Sequence, residues 1–166
     1  MNRLIMPITA LMLGLGMALP WNAAVAQSAK DLVGTWNLVS VTNTQDGKKT
    51  DLLGPNPKGV LVFDTNGRYT LGFLRPDLPK FTSANRATGT PEENKAVVQG
   101  SIAHFGAYSV DDDNKTIVFR IEASTFPNWS GAEQKRQFKI TGDELTYVVP
   151  SASVGGTGEI VLRRAK

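Results

Sequence analysis

From Gly34 onward the chain alternates short apolar-rich runs with clusters of Gly, Asn, Asp and Lys. Period-two alternation of β-branched and aromatic residues marks strands with one buried face. "GTWNLVSVTN" (Gly34 to Asn43) is the first such run, and "DGKK" then turns it. "GVLVF" and "RYTLGFL" flank "DTNG" (Asp64 to Gly67), where Asn-Gly, tolerant of positive φ at both residues, predicts a hairpin. "HFGAYSV" and "TIVFRIEAS" flank "DDDNK", and "AEQKRQFKI" and "LTYVV" flank "TGDE", which predicts two more hairpins. "TGEIVLRRA" closes the chain. About eight strands joined mostly by hairpins predict an all-β protein, an antiparallel up-and-down β-barrel or a strongly curved sheet.

One segment interrupts this meander. "RPDLPKFTSANRATGT" (Arg75 to Thr90) is Pro-rich and irregular. It leads into "TPEENKAVVQG", where Thr90 is an N-cap, Pro91 fits N1 and Glu93 at N3 completes a capping box. A helix of roughly three turns should follow and end near Gly100. Loops this long are usually functional lids or simply disordered, and the lid is the expectation here. Leu78, Phe81, Val97 and Val98 give this one apolar surface with which to cap a barrel mouth.

The first residues follow a different pattern. Arg3 precedes an apolar run from Leu4 to Leu19, and small residues, Ala24-Val25-Ala26, precede Gln27. That is the order of a secretory signal peptide. The run holds Pro7 and is short for a membrane span of about 20 residues. The expectation is a signal peptide over 1–26, cleavage after Ala26 and one domain over 27–166. The product should lie in a periplasm or outside the cell, with no stable membrane insertion.

Composition narrows the chemistry. There is no Cys, hence no disulfide, no thiol nucleophile and no acceptor for a lipid anchor. The formal net charge of +3 is spread along the chain without a basic cluster, which argues against nucleic-acid binding. A single His with no Cys does not make an ordinary zinc site, so neither metal nor cofactor is expected. "DDDN" (Asp111 to Asn114) lacks the Gly and bidentate Glu of a calcium loop and reads as a solvated turn.

"GTWNLVS", "GPNPKGVLVFDTNGRYT", "RPDLPKF", "GTPEE", "HFGAYSVD" and "FPNWSG", in that order, resemble the bacterial and fungal lipocalin-like domain family, distinct from the true extracellular lipocalins. The resemblance spans nearly all of the chain after its leader. It implies a barrel that holds a small apolar ligand. "LVGTWNLVS" also resembles the opening of a lipocalin. That implies that Gly34-x-Trp36 sits at the closed end, with an arginine of the last strand, which carries Arg163 and Arg164, stacked over the indole, and Arg163 is the expected structural residue.

Alternation then sorts the candidate ligand-binding residues. Tyr69, Leu71 and Phe73 share one face of their strand. In "TIVFRIEAS", Phe119 lies on one face and Arg120 and Glu122 on the other, so either the aromatic or the charged pair points inward. Gln134, Arg136 and Phe138 share a face, and Arg136 either forks a ligand oxygen or stays in water. Trp129 in "FPNWSG" either walls a pocket or anchors its loop. His104 shares a face with Gly106 and Tyr108, and Gly106 leaves space between the two rings. His104 is therefore a ligand donor, an acid–base group or a packed core residue. Three functions stay open: binding of a small apolar molecule, an isomerase or cyclase using His104, Tyr108 or Glu122, and a structural envelope module with a filled barrel.

Overall fold

The computed structural model describes residues 28–166 apart from Asn114. The expected signal peptide therefore lies outside the described residues. A short helix, α1 (Ala29–Leu32), precedes four strands: β1 (Gly34–Gln45), β2 (Lys48–Asp51), β3 (Lys58–Phe63) and β4 (Arg68–Leu74). Helix α2 (Pro91–Gln99) follows, then β5 (Ser101–Asp111), β6 (Thr116–Ser124), β7 (Glu133–Thr141), β8 (Glu144–Val149) and β9 (Thr157–Arg164). Neighbouring strands run antiparallel in the order β2-β1-β3-β4-β5-β6-β7-β8-β9, and β1 also pairs with β9. The result is the expected up-and-down barrel of eight strands, closed on itself, with β2 as one extra strand.

Strand β2 departs from the expectation that "DGKK" is all turn. Asp46 and Gly47 make the turn with φ of 51° and 75°, and Lys48 and Lys49 already pair with Gln45 and Thr44. All four β2 residues are exposed. A strand wet on both faces has no hydrophobic alternation, so the pattern was silent there. At "DTNG" the hairpin forms, but of Asn66 and Gly67 only Gly67 takes positive φ. Asp64 Oδ1 accepts the backbone N–H groups of Asn66 and Arg68 at 2.8 and 2.7 Å and fixes that turn.

One end of the barrel is plugged. Trp36 is fully buried and donates its indole N–H to the Leu32 carbonyl at 2.7 Å, which docks α1 across the opening. The guanidinium of Arg164 lies 4.1 Å from the Trp36 ring centroid. It also donates to the carbonyls of Val33 and Asp31 at 2.9 and 2.6 Å. Gly34 is needed beside it, because φ there is +128° and a Cβ would meet Arg164 at 3.0 Å. Arg163, expected from sequence as the structural residue, is exposed on the other face of β9, so that role belongs to Arg164. Phe63, Tyr108, Ile117, Leu145 and Leu162 fill the adjacent layers.

Two β-bulges set which residues face inward. Leu38 pairs with Leu162 and Ser40 with Val161, so β1 gains one residue. The buried set changes from Trp36 and Leu38 to Asn43 with half-buried Val41. On β6, Phe105 pairs with Ala123 and Gly106 with Ile121. The bulged backbone comes so close that a Cβ on Gly106 would lie 2.0 Å from the Arg120 carbonyl oxygen. The room at Gly106 is thus taken by main chain.

Helix α2 has the expected capping box: Thr90 Oγ1 accepts the Glu93 N–H at 3.2 Å, and Glu93 accepts the Thr90 N–H at 2.9 Å. Glu93 also accepts the Thr82 N–H and hydroxyl, tying loop to helix.

Replacing Arg164 with Ala removes a cation–π contact and two hydrogen bonds, a loss of about 2 kcal/mol. Replacing exposed Arg163 with Ala should cost under about 0.5 kcal/mol. Urea unfolding midpoints of the two variants check this, and equal midpoints would contradict the plug described above.

Candidate functional site

The end opposite Trp36 is not filled. A cavity of about 100 Å³ lies there. Its walls come from the ends of nearly every strand: Val41 of β1, Leu71 and Phe73 of β4, Ile102 and His104 of β5, Phe119 of β6. Gln134 and Arg136 of β7, Tyr147 and Val149 of β8, and Gly158 and Ile160 of β9 complete the ring. Phe119 is the floor. It faces the cavity and on its other side packs against Tyr69 and Phe63, with ring centroids at 4.7 and 6.0 Å.

The mouth is covered by Leu52, Trp129, Ala152 and Ser153. Trp129 sits in a single 3-10 turn, Pro127–Trp129, and stands edge-on to His104 with centroids 5.9 Å apart. Ala152 and Ser153 belong to the β8–β9 loop, which Asn43 Nδ2 ties down by donating to the Gly155 carbonyl at 2.9 Å. The segment from Arg75 to Gly100, expected as the lid, supplies no lining residue. Leu78 packs against Gly100 and Phe81 against Gly89, and Val98 is exposed. Its apolar residues are largely satisfied within the segment, which leaves them no reason to cover the barrel.

Two polar side chains are buried in the wall. His104 is 8% exposed, and its Nδ1 lies 2.8 Å from the Tyr69 hydroxyl. Burial, helped by the nearby positive charge of Arg136, lowers its pKa to about 4, so the ring is neutral near pH 7. Burial also raises the pKa values of the Tyr69 and Tyr147 hydroxyls, and both stay protonated. Arg136 is 7% exposed. It donates to the Lys135 carbonyl at 3.1 Å and to Gln134 Oε1. No carboxylate lies within ion-pair distance of Arg136 among the described residues.

Of the residues expected to bind ligand, Phe73, His104, Trp129 and Arg136 meet in this cavity. Tyr69 touches it through His104. Tyr108 does not reach it. The ring packs 4.6 Å from Phe63 toward the plugged end, and the hydroxyl donates to the Asp64 carbonyl at 2.9 Å. Arg120 and Glu122 are also excluded. Phe119 and Ile121 take the inner face of β6, and both charged side chains lie exposed on the outer wall. Arg120 pairs with Glu133 at 3.2 Å, and Glu122 receives both amino groups of Arg68. Water solvates such pairs at little cost, whereas the interior would not. Among the acid–base groups considered from sequence, His104 alone therefore faces the cavity, with Tyr69 rather than Tyr108 as its hydroxyl partner.

Sequence reasoning missed Tyr147, Val149, Ile160 and the loop residues Ala152 and Ser153. Alternation in "LTYVV" marks Leu145, Tyr147 and Val149 as one face. Nothing in the loop composition marks Ala152 or Ser153. No group of three or more His, Cys, Asp or Glu residues suited to a metal ion occurs among the described residues. No helix among them is long and apolar enough to cross a membrane.

A family model described as a lipocalin-like domain matches residues 33–163. A curated relative is the 4'-hydroxy-3'-methoxypropiophenone carrier protein ppsC of Aspergillus oryzae. It is 33% identical over 85 residues, covering 46% of this chain and 77% of the relative.

His104 supplies a direct check, because it is the only histidine in the chain. The unfolded state takes up a proton below about pH 6.5, and the folded state only near pH 4. Stability should therefore fall as pH drops from 6.5 toward 4, by up to about 3 kcal/mol from this group. A proton NMR titration of the one imidazole should give a midpoint near pH 4. A midpoint near 6.5 would show a solvated ring. His104→Gln should weaken the acid sensitivity of the urea midpoint.

Proposed function

We propose that this chain, which belongs to the lipocalin-like domain family, holds one small, largely apolar molecule in the open end of its barrel. The observation that carries the reading is the cavity of about 100 Å³ above Phe119, lined mainly by apolar side chains. Close packing is the rule in protein interiors, and a void of this size costs stability unless something occupies it. A closed apolar cavity of about 150 Å³ accepts benzene, so this smaller space, which is partly open at its mouth, suits at most about one ring with part of the ligand reaching the rim.

Burial of the ligand against Leu71, Phe73, Ile102 and Phe119 supplies the affinity, and Trp129 walls the mouth. Arg136 and neutral His104 are placed to orient an oxygen of the ligand. The name of the Aspergillus oryzae relative, a carrier of a substituted aromatic ketone, supports the same class of role. The reading includes export. Arg3, the apolar run to Leu19 and Ala24-Val25-Ala26 support cleavage after Ala26 and a periplasmic or secreted product.

Native mass spectrometry of the protein recovered from its own host should show a stoichiometric small molecule and a chain starting at Gln27. Val149→Phe places a ring in the cavity and should reduce that occupancy at least tenfold while leaving the fold intact. An occupancy unchanged by Val149→Phe would place the ligand elsewhere.

A further inference from the structure

We propose that the cavity selects an organic anion, a one-ring carboxylate or phenolate whose charged oxygen sits on the guanidinium of Arg136. This rests on the binding reading above and specifies the charge of the ligand.

Arg136 is 7% exposed and stands on the inner face of β7 beside Gln134 and Phe138. Its two acceptors among the described residues, the Lys135 carbonyl and Gln134 Oε1, are both neutral. A guanidinium has five N–H donors, so three remain. The lining residues include no Asp or Glu. The nearest acids on β6 and β7, Glu122 and Glu133, face outward and are held by Arg68 and Arg120.

The groups that face Arg136 from neighbouring strands cannot neutralise it. Tyr69 of β4 and Tyr147 of β8 are kept protonated by burial, and His104 of β5 is neutral near pH 7. Among the described residues, the cavity therefore holds one net positive charge and no counter-ion. A buried ion left without a partner is strongly unfavourable. A neutral carbonyl offers hydrogen bonding without charge. A carboxylate offers both, in the planar fork that matches a guanidinium. A cationic ligand is repelled.

Calorimetric titration of the full chain at pH 7 with benzoate, benzamide and benzylamine tests this, since the three share one ring and differ in charge. Benzoate should bind at least about tenfold tighter than benzamide, with benzylamine undetectable. Arg136→Met should erase the preference, bringing benzoate down to the affinity of benzamide or below it. Benzamide bound as tightly as benzoate overturns the anion proposal and leaves the binding reading intact. Binding of none of the three overturns both.

A second measurement needs no variant. Ionised 4-nitrophenol is yellow, and an opposite charge beside an acid favours its ionised form. The bound phenol should therefore ionise about one pKa unit or more below the free one. An unchanged or raised value overturns the proposal.

Discussion

Strand β1 pairs with β9 from Trp36–Arg164 to Thr44–Thr157, and that pairing removes the free edges a meander would otherwise leave. Closure also decides the interior. Once the sheet meets itself, most inward positions lose access to bulk water, so a polar group left there without a full set of partners is costly. Arg164 belongs to this constraint rather than decorating it. It reaches from the last strand across Trp36 to the carbonyls ahead of β1, so one side chain joins both ends of the sheet.

The two ends of the barrel then follow different rules. At the Trp36 end, large rings and aliphatic side chains meet without space between them. Past Phe119 the inward side chains still point to the axis, but Gly158 and half-buried Val41 are too small to fill the wider section. The bulge in β1 matters here, because it rotates Val41 and Asn43 inward where strict alternation from Trp36 would have presented Ser40 and Thr42. Asn43 in turn anchors the β8–β9 loop across the opening. A one-residue irregularity is thus linked to how the mouth is roofed.

Much of this was legible in the sequence, and the failures have physical causes. The strand count, the hairpins and the Thr90 capping box are local signals, and local signals survive folding. Phe73, His104 and Arg136 reach the cavity from strand faces that alternation identifies, and Trp129 reaches it from a turn where an aromatic near Pro127 was the only signal. Arg120 and Glu122 were misplaced because alternation names two faces without saying which is inner. Their neighbours Phe119 and Ile121 decided that by burial. Tyr108 was misplaced because sharing a face with His104 says nothing about depth along the axis, and four residues of strand separate the filled end from the empty one. The lid was misassigned because an apolar loop residue can be satisfied within its own segment, as Leu78 and Phe81 are.

The cavity has a floor, formed by Phe119 above the aromatic layers, and Leu52, Trp129, Ala152 and Ser153 line its outer part. On the proposed reading, a chamber with room for about one ring would not contain an arriving and a departing molecule together, so exchange would pass through the empty barrel.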